Sequence, residues 1–170
     1  VYSTALSTTT ALKEAQLAIS KMQGYKVSYP VVYDLEYAKA SKLSAKTVSE
    51  MALTFCNEVR RAGYYPMVYC NTNWYDNYID WSLLSGVDVW IARYGDTIQA
   101  PDKERYNYTI WQSTDGNRES GLNSTSGLVA GIPAGNDVDM DFGYVDYTKK
   151  ITPRWKSLHS YVPAMKPDTG

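Results

Sequence analysis

The sequence predicts an α/β fold, because segments with helical spacing alternate with short apolar runs that are typical of buried strands. Apolar residues recur every three or four positions in residues 10–23 and 45–62, and a shorter helix is predicted within residues 73–84. Strand-like runs, rich in β-branched and aromatic residues, cover residues 29–36, 65–70, 87–94, 108–113 and 137–144. Because the last strands are joined by loops instead of helices, the pattern fits a barrel with βα units first and bare strands last.

Each of the two long helices carries its own boundary signals. Ser and Thr residues precede the helix of residues 10–23, and Gly24 follows it. Gly63 follows the helix of residues 45–62, whose buried stripe is predicted to include Val48, Phe55 and Val59. From residue 148 onward the chain contains three prolines and little periodicity, so we expect one domain over residues 1–147 and a linker or docking tail over 148–170.

Composition excludes several classes of protein. The 170 residues carry 17 basic and 18 acidic side chains, so the net charge of −1 argues against a strongly basic nucleic-acid-binding surface. No apolar run approaches the roughly 20 residues of a membrane span, and residues 1–10 lack the basic and apolar blocks of a signal peptide. We therefore expect neither a nucleic-acid partner nor a membrane partner.

Histidine and cysteine are too scarce for two kinds of site. His159 is the single histidine, which makes a zinc site of the usual type and a Ser-His-Asp triad poor interpretations. Cys56 is predicted in mid-helix and Cys70 in a strand, at heights that differ by roughly 12 Å from the rise per residue of each element. Because that exceeds the reach of a disulfide, we predict two free thiols.

Tyrosine and tryptophan are unusually frequent. The chain has 16 Tyr and 5 Trp against 2 Phe, so nearly all of its aromatic side chains carry a polar edge. One interpretation is a core that is rich in Tyr by descent. The other is a wet cleft whose rings stack on a ligand and also form hydrogen bonds with it, as sugars require.

Two groups of acidic residues stand at predicted strand ends. Asp34 and Glu36 are two positions apart, so they share one face of the strand with Cα atoms roughly 6.6 Å apart. Two close carboxylates raise the pKa of at least one, which a glycosidase uses to keep a proton for the leaving oxygen. The second group contains Asp137, Asp139 and Asp141, for which a Ca²⁺ or Mg²⁺ site and a solvated strand edge are both open interpretations.

Five short motifs in a fixed order resemble glycoside hydrolase family 25, the Chalaropsis-type lysozymes of phage endolysins and autolysins. The likeness covers residues 1 to about 147, and Tyr2-Ser3 ahead of the first helix also resembles the family. The motifs are residues 30–36 (PVVYDLE), 89–94 (VWIARY), 110–113 (IWQS), 131–132 (GI) and 138–142 (VDMDF). The resemblance implies a modified TIM-type (β/α)5(β)3 barrel that hydrolyses the β-1,4 bond between N-acetylmuramic acid and N-acetylglucosamine in bacterial peptidoglycan. We expect no metal and no cofactor.

The resemblance also implies roles for individual residues. Glu36 corresponds to the general acid, Asp34 to the partner that orients or stabilises the substrate's N-acetyl group, and Asp139 to the acid on the last strand. Asp141 stands where the family usually has Asn, and we include it among the substrate-binding residues. Rings at strand ends are candidates for stacking on sugars, namely Tyr2, Tyr69, Tyr94 and Trp111. By the alternation of a strand, Tyr33 is assigned to the core and Arg93 to the face away from the barrel mouth.

The sequence departs from the family at its beginning. The likeness starts inside the family's third strand, so its first two strands and the Asp of its first strand have no counterpart here. Two alternatives to an active enzyme follow, namely a glycan-binding module without activity and a fragment that needs a second chain to supply the missing strands. In either the enzyme or the binding module, the expected place of action is outside the cell, at the cell wall, or delivered by a phage.

Overall fold

A five-stranded sheet forms the centre of the computed structural model, which describes residues 1–95, 98–116 and 129–152. The strands lie side by side in chain order, the first four are parallel, and β5 runs antiparallel to β4. They are β1 (Val31–Asp34), β2 (Pro66–Asn71), β3 (Asp88–Ala92), β4 (Ile110–Thr114) and β5 (Met140–Gly143). The predicted α/β fold is confirmed, whereas the described strands form one sheet and not a closed barrel.

The helices begin where short polar side chains cap them. They are α1 (Thr8–Met22), α2 (Ala45–Arg61), α3 (Thr72–Asn77) and α4 (Tyr147–Lys150), with 3-10 turns at Ala40–Lys42 and Trp81–Leu84. Ser7 and Thr10 form a capping box at α1, and the Ser44 side chain accepts a hydrogen bond from the Thr47 N–H at α2. The two long helices therefore agree with the sequence prediction to within a few residues.

The main core lies between α1, α2 and one face of the sheet. Helix α1 presents small residues there, Ala11 and Ala15, which allow α2 to approach closely. Phe55 of α2 stacks on the Tyr33 ring of β1, with ring centroids 4.1 Å apart. Tyr33 is fully buried and its hydroxyl donates to Glu14 at 2.8 Å, so its predicted place in the core is confirmed.

Helix α4 packs at the N-terminal end of β3, where two of its side chains bond to Asp88. One carboxylate oxygen of Asp88 accepts hydrogen bonds from the Tyr65 hydroxyl (2.8 Å), the Tyr147 hydroxyl (2.7 Å) and the Lys150 ammonium group (2.9 Å). Tyr147 is fully buried. The domain boundary predicted after residue 147 thus falls inside a docked helix, and residues 153–170 of the predicted tail lie outside the described residues.

The two ends of the sheet differ from its centre. Beyond β1, the chain start forms a single parallel bridge in which the Asp34 N–H donates to the Val1 carbonyl (2.9 Å) and the Ser3 N–H donates to the Asp34 carbonyl (3.1 Å). At the other end, all four residues of β5 are exposed. The predicted last strand, residues 137–144, is shorter in the structure because pairing with β4 starts only at Met140.

Two further findings concern single residues and the membrane. Cys56 and Cys70 are both buried and unpaired, so the prediction of free thiols is confirmed. Across the parts of the chain that the structure describes, no helix is both long and apolar enough to cross a bilayer.

Candidate active site

A cavity of about 490 Å³ opens at the C-terminal ends of the parallel strands. In parallel α/β architectures this end of the sheet is where catalytic groups are placed. The cavity is lined by Val1, Val32, Asp34, Glu36, Tyr69, Trp90, Tyr94, Gln112, Asp115 and Asp139. It thus combines four carboxyl groups with three aromatic rings that carry polar edges.

Strand register explains why these side chains face one space. Asp34 on β1 is the register partner of Tyr69 on β2, and Tyr69 is the partner of Trp90 on β3. Neighbours in register point to the same side of a sheet, so one row of side chains crosses three strands. The Tyr69 and Trp90 rings meet edge to face, with centroids 5.1 Å apart.

Asp34 ends β1 in a partly buried position. Its Oδ1 atom is buried and has no hydrogen-bond partner among the described residues. Burial, followed by repulsion from Glu36, raises the pKa of Asp34 from its ordinary 3.8 to about 6. This carboxyl group therefore changes its charge close to neutral pH.

Glu36 follows two residues later, after the strand has ended. The Leu35 N–H donates to the Tyr69 carbonyl at 2.9 Å, which keeps the chain extended beyond β1. Leu35 is buried on the core side, whereas Asp34 and Glu36 both line the cavity. The alternation inferred from the sequence thus brings the two carboxyl groups together, with Glu36 the more exposed.

The second acidic group divides between two environments. Asp139 is exposed, precedes β5 and lines the cavity. Asp141 lies in β5, and its Oδ1 atom accepts a 2.7 Å hydrogen bond from the Trp90 indole. Burial raises the pKa of Asp141 above its ordinary value, although the bond from Trp90 acts in the opposite direction. Asp141 therefore fixes the position of the Trp90 indole, which lines the cavity, but Asp141 itself does not line the cavity.

The structure places two of the predicted stacking rings away from this cavity. Trp111 alternates with Gln112 along β4, so its ring lies on the opposite face, 4% exposed and stacked on Phe142 at 5.1 Å. Its indole N–H donates to the Arg93 carbonyl at 3.1 Å. Tyr2 is 54% exposed and is not part of the cavity wall. The Arg93 side chain is exposed and donates to the carbonyls of Gln99 and Ala100, outside the cavity wall.

Besides two valines, three cavity residues with polar or aromatic side chains were not singled out from the sequence: Trp90, Gln112 and Asp115. Gln112 stood inside the IWQS motif, but attention to aromatic rings favoured its neighbour Trp111. The missing signal was register. Gln112 pairs with Ala92 of β3, which is two residues from both Trp90 and Tyr94, so all these side chains point to the same side of the sheet.

Metal binding has no support from the described geometry. Among residues 1–95, 98–116 and 129–152, no three His, Cys, Asp or Glu side chains are arranged to hold a metal ion. Asp139 faces the cavity, whereas Asp141 accepts a hydrogen bond from Trp90.

Carboxyl groups beside aromatic rings with polar edges, at the C-terminal end of a parallel sheet, are features that glycoside-hydrolysing sites also have. The chain belongs to the glycosyl hydrolases family 25, whose family model matches residues 1–122. That match covers well over half of the chain. No curated protein matches the sequence significantly.

Solved structures share the fold at low sequence identity. The CTP1L endolysin superposes with a TM-score of 0.63 at 23% identity, covering 86% of this chain and 45% of its own. A muramidase from Trichobolus zukalii gives 0.55 at 17% identity, covering 85% and 64%. The Cpl-1 endolysin, solved with a peptidoglycan analogue, gives 0.51 at 21% identity, covering 67% and 36%. The chain thus spans less than two thirds of each of these proteins.

Proposed function

We propose that this chain is a peptidoglycan hydrolase, an N-acetylmuramidase that cleaves the β-1,4 bond between N-acetylmuramic acid and N-acetylglucosamine. The observation that carries the proposal is the pair Asp34 and Glu36, which share one cavity at the C-terminal end of the sheet. Membership of the family supports glycoside hydrolysis. The muramidase and the endolysin with a bound peptidoglycan analogue support the substrate class.

In the proposed mechanism Glu36 donates its proton to the bridging oxygen as the bond from that oxygen to C1 breaks. The acetamido oxygen of the same sugar forms a bond to C1, and the ionised Asp34 stabilises the acetamido N–H and the positive charge of the resulting ring. Water then attacks C1, returns the acetamido group and gives a proton back to Glu36. Asp139, which also lines the cavity, positions the sugar, and Tyr69 and Tyr94 contact its faces and edges.

The raised pKa in the cavity falls on Asp34, so the pH profile bears on which of the two carboxyl groups supplies the proton. Asp34 carries a pKa of about 6, so it is ionised at neutral pH and protonated in mild acid. Activity that needs the ionised form declines as the pH falls through about 6. Activity that needs Asp34 as the proton donor declines as the pH rises through the same value. The pH profile therefore separates the two assignments of the acid.

The first test is release of reducing ends from purified peptidoglycan. Glu36→Gln removes the transferable proton while keeping shape, and we expect a loss of at least about a hundredfold in kcat with no loss of thermal stability. The matched control is Glu104→Gln, the same chemical change at an exposed position outside the cavity. A Glu36→Gln variant with nearly full activity would remove Glu36 from the role of acid.

Two other functions make different predictions in the same assay. A folded parent chain that binds glycan strands and releases no reducing ends would be a binding module. A chain that gains activity only with a second polypeptide would need strands from a partner to complete a barrel, since β1 carries only a short bridge and β5 is exposed. In the proposed role the protein acts at the bacterial cell wall, reached from outside the cell or through delivery by a phage.

A further inference from the structure

Two tyrosine hydroxyls of the cavity share one acceptor. Gln112 lies in β4 with only 4% of its surface exposed, and its Oε1 atom accepts hydrogen bonds from Tyr69 (2.6 Å) and Tyr94 (2.8 Å). A phenol has one O–H and therefore donates once. The two hydroxyls also lie close enough to interact with each other. With both protons directed to Gln112, neither hydroxyl can donate to a ligand without breaking its bond.

The three residues come from three neighbouring strands or their ends. Tyr69 is in β2, Tyr94 follows β3 by two residues, and Gln112 is in β4. The register partner of Gln112 on β3 is Ala92, whose side chain ends at Cβ, and Tyr94 reaches Gln112 from beyond it. An amide oxygen has two lone pairs, so one Gln112 carbonyl satisfies both phenols and fixes the direction of each O–H.

We propose that Gln112 is a positioning residue that turns this wall of the cavity into a surface of hydrogen-bond acceptors. With their protons turned inward, Tyr69 and Tyr94 present lone pairs to the cavity. Above the pKa of Asp34, the carboxylates of Asp34 and Asp139 on the same cavity also only accept. The wall therefore selects a ligand group rich in donors, such as sugar hydroxyls and an acetamido N–H, and disfavours a carboxylate in this position.

This inference rests on the proposed function only for the identity of the ligand, a neutral N-acetylated sugar. Applied to a glycan strand of peptidoglycan, it directs hydroxyl and N–H groups toward Tyr69 and Tyr94. The lactyl carbonyl of muramic acid, which is amide-linked to the peptide and accepts hydrogen bonds, is then directed away from them, toward the open side of the cavity.

The direction of the phenol protons can be measured without any ligand. Ultraviolet resonance Raman spectra distinguish a phenol that donates a hydrogen bond from one that only accepts. Subtracting the spectrum of Tyr94→Phe, or of Tyr69→Phe, from that of the parent isolates the signal of the ring that was replaced. We expect donor signatures in the parent and in Gln112→Glu, whose carboxylate still accepts, and their loss in Gln112→Met. Donor signatures that persist in a folded Gln112→Met variant would overturn the inference.

Binding supplies the second measurement, with triacetylchitotriose as the probe in titration calorimetry. Gln112→Met is expected to weaken its binding about tenfold, from two misdirected hydrogen bonds. Adding Gln112→Met to the Tyr69→Phe/Tyr94→Phe variant should then have little further effect, because Gln112 acts through the phenols. An equal loss in both backgrounds would show a merely structural role and overturn the inference.

The proposed function can fail separately from this inference. If the parent releases no reducing ends from peptidoglycan while the Raman differences show two donating phenols and chitotriose binding follows Gln112, the inference stands and muramidase activity is overturned. If reducing ends are released and the phenols are not donors, the muramidase activity stands and the inference about Gln112 is overturned.

Discussion

Asp34 is partly buried and also belongs to the proposed catalytic pair. Its raised pKa has two main causes, loss of solvation and the neighbouring charge of Glu36. Glu36→Gln removes the second cause and leaves the first. We therefore expect the pKa of Asp34 to fall below 6 in this variant, while it stays above the ordinary value. The measurement is an NMR titration of the Asp34 side-chain carboxyl carbon, with Glu104→Gln as the unchanged control.

The same residue makes stability depend on pH in a definite direction. Because the folded-state pKa of Asp34 is about 6 and the ordinary value is 3.8, the folded protein holds this proton more tightly. The cost of the buried charge is absent below about pH 4 and increases until the pH passes about 6. Asp34→Asn removes that cost, so its stabilising effect is expected to be near zero at pH 4.

At pH 7 the gain for Asp34→Asn is expected to reach about 1–2 kcal/mol, reduced from the full shift because the group is only partly buried. Urea denaturation of the parent and the variant at pH 4 and pH 7 measures the difference. A gain of the same size at both pH values would mean that packing, and not charge, limits stability here.

At the level of single residues, alternation along a strand was enough to bring Asp34 and Glu36 to one cavity. Alternation was not enough for β4, because it does not say whether Trp111 or Gln112 faces the cavity. The choice depends on register with β3, which pairs Gln112 with Ala92. Register is a relation between distant segments, so a local pattern of one strand does not contain it.

Among the elements, α2 carries the largest contribution to the core. Phe55 is fully buried and stacks on Tyr33, so truncation leaves a cavity that the packed helices cannot fill. Phe55→Ala is expected to lower the free energy of unfolding by about 3–5 kcal/mol. The matched control is Leu17→Ala on α1, where the side chain is 60% exposed and the expected change is below about 0.5 kcal/mol.

Thermal and urea unfolding of both variants test this assignment. A small effect of Phe55→Ala would mean that the α1–α2 layer contributes little to the cooperative unit. Equal effects of the two substitutions would mean that helix propensity, not burial, dominates.

The long helices were predictable because each carries its own boundaries. Ser7 and Ser44 cap their N-termini, and Gly24 and Gly63 follow their ends with positive φ angles of 82° and 81°. The last strand was predicted too long because its own sequence carries no boundary signal. Alternation of acids and apolar residues extends from residue 137, but pairing with β4 begins at Met140 and sets the actual start.

For the molecule as a whole, the order of the elements was enough to predict an α/β fold. It was not enough to predict whether the sheet closes into a barrel. Whether a sheet closes depends on pairing between its first and last strands, and no local pattern encodes such a pairing. In the described residues β5 pairs with β4 and stands at the end of the sheet, with Met140 43% and Phe142 48% exposed.

An exposed edge of this kind favours self-association, most strongly near the isoelectric point of about 5.8, where net charge does not oppose it. We expect Met140→Lys to reduce association of the concentrated protein at that pH, because a charge on an edge strand disfavours pairing. Leu17→Lys adds the same charge on an exposed helix position and is the control. Sedimentation velocity measures both, and equal effects would exclude β5 as the contact.

The two buried thiols have a practical consequence. Cys56 lies in α2 and Cys70 in β2, and burial raises the pKa of both, to about 12 for Cys56. A maleimide or disulfide reagent therefore reacts with either one only after its element opens. Labelling rates followed by mass spectrometry then time the opening of the helical layer and of the sheet separately, in the natural sequence and without an introduced probe.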